Sequence, residues 1–265
     1  MLDNQRRWAV ALAAVFWSAA AFAQLAGTVG AQPVPPATPQ QPGKIVGSLT
    51  FGGEVQNGRT ETRGYMGSGS FAYMNKRLQV FRLDLSSMHS DLRDRNTGTR
   101  YTLQETGLAS LTFTQPVKPR ISSVTVAMVQ HDSTQLLDSR ELLTSGVAFQ
   151  LVRTPRDLFT ITPGVGIGHQ ESRVPNAPST IRAVGIYQNS WVQLTHNLSL
   201  VESVITFRDV KVTQNKSLML SSMLIAQVAK KVGISIYYNY WREGLLPPNT
   251  PPSQSQFGVG LTLTL

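Results

Sequence analysis

The chain contains no cysteine, which removes disulfides, cysteine nucleophiles and thiolate metal sites from consideration. Histidine is scarce as well. His89, His131, His169 and His196 fall on separate segments without metal-ligand spacing, and no HExxH occurs. These absences imply neither a metal nor any other cofactor. Charged residues make up 15% of the sequence and leave a formal charge of +9. The cations are scattered near expected turns, with no stripe interleaved with stacking aromatics, so nucleic acid is not the implied partner. Attraction to anionic lipopolysaccharide is the consequence expected of positive ends. Long apolar runs are absent after the amino-terminal segment, which excludes a helical membrane span.

That amino-terminal segment reads as an export signal over residues 1–23. Arg6 and Arg7 precede an apolar run from Trp8 to Ala20, and Ala21-Phe22-Ala23 supplies a small-x-small cleavage site. Residues 24–43 include Pro33, Pro35, Pro36, Pro39 and Pro42. Proline at this density removes backbone donors and favours extended chain, as in a disordered periplasmic leader.

From Lys44 onward the hydropathy period is close to two. The expected strands are Ile45–Gln56, Thr60–Met74, Arg77–His89, Arg100–Thr114, Ile121–Asp132 and Glu141–Val152. They continue as Leu158–Gln170, Thr180–Thr195, Leu198–Arg208, Lys216–Val228, Val232–Arg242 and Gln256–Leu265. Asn57-Gly58, between the first two, is a favoured pair for a tight hairpin. Short and longer connections then alternate, as they do when short turns occupy one rim of a barrel and loops the other.

The last segment alternates Phe257, Val259, Leu261, Leu263 and Leu265 with glycine and threonine. A half-apolar strand placed at a chain end is a sticky edge in water. In a closed barrel it pairs with the first strand and turns its apolar face to lipid. Residues 44–265 are therefore expected to form an all-β, transmembrane, antiparallel up-and-down barrel of about 12 strands in the bacterial outer membrane.

The aromatic spacing fits membrane dimensions. Tyr65, Phe71 and Tyr73 share one strand face, and Tyr101 and Phe113 bracket a similar span on another. Eight residues cover roughly 26 Å along a strand, or about 20 Å after a tilt near 40°. These five residues are the expected aromatic girdle. Charged side chains should line the lumen, because an unpaired charge in lipid is costly. The candidates are Glu54, Arg82, Asp84, Glu202 and Arg208. Opposite signs at adjacent positions suggest an ion-paired, packed interior. Glu105 fits badly, since it shares a face with Tyr101 and Phe113; a nearby bulge could turn it inward.

Few motifs suggest chemistry. Gly164-x-Gly166-x-Gly168 is not a nucleotide loop, because no helix follows; the glycines suit a bent strand or a crowded interior. His131 and Ser133 carry the weak catalytic reading. Outer-membrane phospholipases of twelve strands place a His and a Ser two residues apart near the outer rim. Val124, Val126 and Met128 mark the expected lipid face of this strand, so His131 and Ser133 should point inward, away from acyl chains. No orienting asparagine follows, and a rim polar cluster is the plainer reading.

Gly47–Thr60, with its glycine-rich strand and the Asn57-Gly58 turn, resembles the opening hairpin of the bacterial salt-induced outer membrane protein family. Tyr65–Tyr73, Gly164–Gly168 and Phe257–Leu265 are similar in kind. The resemblance implies a complete barrel over 44–265, inserted by the barrel-assembly machinery, although Leu265 stands where a terminal aromatic is usual. It implies no activity. The expected role is envelope integrity or small-solute passage by a monomer surrounded by outer-membrane lipid. Surface binding through Ser90–Thr99 and Glu243–Ser255, or lipid hydrolysis at His131 and Ser133, are the alternatives.

Overall fold

Two-residue alternation from Ile45 onward produces strands, and their pairing closes on itself. The computed structural model describes residues 42–57, 60–94, 98–133, 136–154, 156–245 and 253–264. The expected export signal and most of the proline-rich segment lie outside these residues, as does Gly58 of the first hairpin. The elements are β1 (Ile45–Asn57), β2 (Thr60–Met74), β3 (Val80–Asp94), β4 (Arg100–Lys118), β5 (Ile121–Asp132) and β6 (Leu137–Arg153). They are followed by β7 (Asp157–Ser172), β8 (Thr180–Gln193), β9 (Leu198–Asp209), β10 (Lys216–Ala229), β11 (Val232–Glu243) and β12 (Ser253–Thr264). Each strand pairs antiparallel with its sequence neighbours and β1 pairs with β12, giving a closed barrel of 12 strands. Closure gives every strand a partner on both sides, a requirement for spanning a bilayer with sheet.

The closing seam is short. Among the described residues, six pairs, Ser48–Gly53 against Thr264–Val259, join β1 to β12, whereas thirteen join β1 to β2. Thr50 and Thr262 reinforce the seam from inside with a hydroxyl–hydroxyl hydrogen bond of 3.1 Å.

Side-chain alternation separates two surfaces. Phe51, Leu83, Leu85, Leu111, Leu143, Val165, Ile167, Ile186, Ile236, Val259 and Leu261 are large apolar residues exposed on the outside. In water such a surface would be an aggregation patch; in hydrocarbon it is solvated. Inward positions hold two apolar clusters. Met66, Met88, Met223 and Tyr237 form one, supported by Met219 and Ile225. Leu142, Ile181, Ala183 and Phe207 form the other, with Met128 against it. Tyr237 sits opposite Gly258 in the ladder, and a Cβ on that glycine would overlap the phenol. The glycine is therefore the space that admits the ring.

These clusters explain where alternation points the wrong way. Val124 is buried and pairs with Thr114 and Gly146, while Val129 on the other parity is half exposed. Val124, Val126 and Met128 thus face the lumen, not lipid. His131 consequently faces outward with Val129, contrary to the inward placement expected from the sequence. On β9, Val201 and Phe207 are buried in the interior, and Glu202 and Arg208 occupy the outward face. The expectation that these two charges line the lumen is corrected. In both strands apolar side chains fill a packed interior, so the more apolar face is the inner one.

Candidate functional site: a bridged lumen

Arg140 and Glu243 approach each other across the lumen. Arg140 lies near the start of β6 and Glu243 ends β11, five strands away around the ring. Their Nη1 and Oε1 are 3.5 Å apart, and the side chains are only 5% and 4% exposed. Arg140 also donates to Gln170 Oε1 at 3.2 Å and to Gln130 Oε1 at 3.4 Å. Its guanidinium carbon stands 5.1 Å from the Phe207 ring centroid. A planar, multi-donor cation can meet a carboxylate, two amides and an aromatic face together, which a lysine could not. Buried Asp132 adds a second carboxylate close enough to repel Glu243. None of these residues was singled out from sequence as a lumen charge; their pairing depends on strands remote in sequence.

A second bridge lies in the half of the barrel nearer the termini. Arg82 Nε donates to Asp84 Oδ2 at 2.7 Å, and Ser70 Oγ donates to Asp84 Oδ1 at 2.7 Å. Across the lumen, Tyr187 on β8, five strands round, lies close enough to act on the Arg82 guanidinium. Here the side chains keep solvent contact, with Arg82 23% and Asp84 15% exposed. The interior is thus nearly dry at the Arg140 end and wetter at the Arg82 end.

The structure distributes the other expected residues as follows. Glu54 pairs through its backbone with Gly64; its side chain lies outside the described residues. Tyr65, Tyr73 and Tyr101 are exposed on the outer surface. Phe71 and Phe113 share that surface by register, and Phe113 stacks at 4.9 Å on Phe81. Glu105 remains outward, opposite His89, despite a register shift at Ser90 and Asp91. Glu202 stands between Ser190 and Ser222 on the outward face and accepts a 3.4 Å hydrogen bond from Ser190 Oγ.

His131 and Ser133 are not coupled. His131 Nδ1 lies 2.9 Å from the Asp138 carbonyl, which can only accept, so Nδ1 carries the proton. Ser133 Oγ accepts the Glu105 N–H at 2.8 Å. Among the described residues no hydrogen bond joins the imidazole to the hydroxyl, as nucleophile activation requires. No group of three or more potential metal ligands occurs among the described residues.

A closed antiparallel barrel with an apolar exterior and charged groups bridged inside defines an outer-membrane-type β-barrel. Residues 49–265 match the family model described as "Protein of unknown function, DUF481", and the chain belongs to that family. No curated protein matches by sequence. Among solved structures, the chain is similar to the NanC porin, with a TM-score of 0.54 and 8% identity over 82% of this chain and 100% of that one. The KdgM porin gives 0.42 and 6%, covering 83% and 99%. An anion-selective porin from Comamonas acidovorans gives 0.41 and 7%, covering 84% and 99%. At these identities the likeness concerns the fold.

Proposed function

We propose that the protein is a monomeric outer-membrane barrel that passes small polar solutes when the Arg140–Glu243 bridge opens. The observation carrying this reading is the bridge itself: two nearly dry, oppositely charged side chains from strands far apart on the ring. The likeness in fold to the NanC porin and the resemblance of Gly47–Thr60 to the salt-induced outer membrane protein family agree with the barrel part of this reading. Insertion by the barrel-assembly machinery and a surround of outer-membrane lipid belong to the same reading. Planar-bilayer recordings of the purified barrel test it. Wild type should be mostly closed, and R140A/E243A should show longer and larger openings. A large steady wild-type conductance, or equal silence of both proteins, would remove the gate.

A static role in envelope integrity is the second reading, favoured by the two apolar clusters inside the barrel. It predicts silence of every variant in bilayers, together with detergent sensitivity of cells lacking the protein. The outward turn of His131 brings the hydrolase reading back to the lipid surface, although the uncoupled Ser133 speaks against it. Phospholipid hydrolysis abolished by S133A would restore it.

A further inference from the structure

The outward face near the loops of β8–β11 carries four cations that no carboxylate among the described residues balances. Arg182, Arg208, Lys216 and Arg242 are all exposed, one on each of four adjacent strands. Lys216 and Arg208 stand directly opposite each other in the ladder. Arg208 faces Val184, which places Arg182 on its diagonal; Arg242 faces Leu218, which places it on the diagonal of Lys216. Direct partners lie about 5 Å apart at Cβ and diagonal ones about 7–8 Å. The four therefore form one continuous row.

Like charges directly opposite in a sheet repel and destabilise the pair. Among the described residues none of the four has a carboxylate within ion-pair distance. Glu171, the outward acid on neighbouring β7, makes no ion pair with them, and Glu243 points into the lumen toward Arg140. Asp209 is also turned inward and is spent on backbone: it accepts from the N–H groups of Arg182 at 3.2 Å, Lys211 at 2.7 Å and Val212 at 3.0 Å. That carboxylate fixes the rim without neutralising the row.

The row sits at an apolar boundary. Below it lie Val184, Ile186, Val204, Leu218 and Leu220 on the same outward face. Arg208 is ten residues from Leu198 at the other end of β9. That is about 33 Å along a strand, or about 25 Å across a membrane at the usual tilt, which equals the apolar band of such barrels. The cations are thus at headgroup height, on the rim opposite the termini, which in this topology is the outer leaflet.

We propose that Arg182, Arg208, Lys216 and Arg242 form a binding site for the phosphate groups of an outer-leaflet glycolipid, whose acyl chains lie along the β8–β10 wall. The ligand class is a phosphorylated lipid, with the phosphomonoester supplying the missing negative charge and arginine forks supplying bidentate donors. The site depends on the outer-membrane location and not on the gate, so silence in bilayer recordings leaves it standing.

Binding to the purified full-length barrel in detergent tests the site, using diphosphorylated lipid A, dephosphorylated lipid A and inorganic phosphate as probes. R208Q/K216Q should weaken diphosphorylated lipid A by roughly thirtyfold. The control K76Q/R77Q, with the same charge change at the opposite rim, should leave binding unchanged. Dephosphorylated lipid A should bind no better to wild type than diphosphorylated lipid A binds to R208Q/K216Q. If R208Q/K216Q loses heat-modifiable gel mobility and hence its fold, R182Q/R242Q takes its place with the same expectation. Equal affinity for both lipids, or equal loss in the opposite-rim control, overturns the proposal. Competition by inorganic phosphate at the affinity of lipid A would overturn the lipid assignment in favour of a free-anion site.

Discussion

Replacing Arg140 by methionine should cost far more stability than replacing Glu243 by glutamine. Arg140 is the ion-pair partner of Glu243, whose side chain is only 4% exposed, and buried Asp132 lies close enough to Glu243 to act on its charge. R140M leaves Glu243 in a dry interior without its ion-pair partner. Removing one member of a buried ion pair costs about 3–5 kcal/mol. E243Q leaves the guanidinium its hydrogen bonds to Gln170 and Gln130 and its contact with Phe207. A glutamine oxygen can still accept, so the loss is about 1–2 kcal/mol. Urea unfolding in lipid vesicles, followed by tryptophan fluorescence, measures the difference. With a slope of about 2 kcal/mol per molar urea, the R140M midpoint should fall by about 2 M and that of E243Q by less than about 1 M. R140M/E243M should recover most of the deficit, because an apolar pair of similar volume removes the stranded carboxylate. An R140M midpoint within about 0.5 M of wild type, or the reverse order of the two single variants, would refute the claim that the bridge is a dry charge contact.

Gly258→Ala should destabilise the barrel by about 1–3 kcal/mol, because its methyl group takes the space of the Tyr237 phenol; the same urea titration reads this. Glu202→Leu should raise stability by about 1–2 kcal/mol by relieving an acid on the lipid-facing surface, and a lower midpoint would mean that the carboxylate is held by something beyond Ser190. Single cysteines at Lys211 and Lys76, in a chain that has none of its own, should differ on whole cells. An impermeant maleimide should label the first and spare the second, and the opposite pattern would invert the barrel.

The ring itself was legible in the chain. Strand number, β5 as Ile121–Asp132 and β2 as Thr60–Met74 follow from alternation and turn residues. The shortfall lies in which side faces in. Alternation identifies two faces, but assigning them assumes a wet lumen and an apolar exterior. On β5 and β9 the interior holds Val124, Met128, Val201 and Phe207, so hydropathy alone inverts the assignment and carries His131, Glu202 and Arg208 with it. Arg140 and Glu243 were hidden for another reason. Their sequence separation is 103 residues, and only the closure of the sheet brings them together.

The brevity of the β1–β12 joint has a mechanical meaning. Among the described residues six pairs hold it against thirteen in the adjoining hairpin, so a force pulling around the circumference should part the cylinder there first.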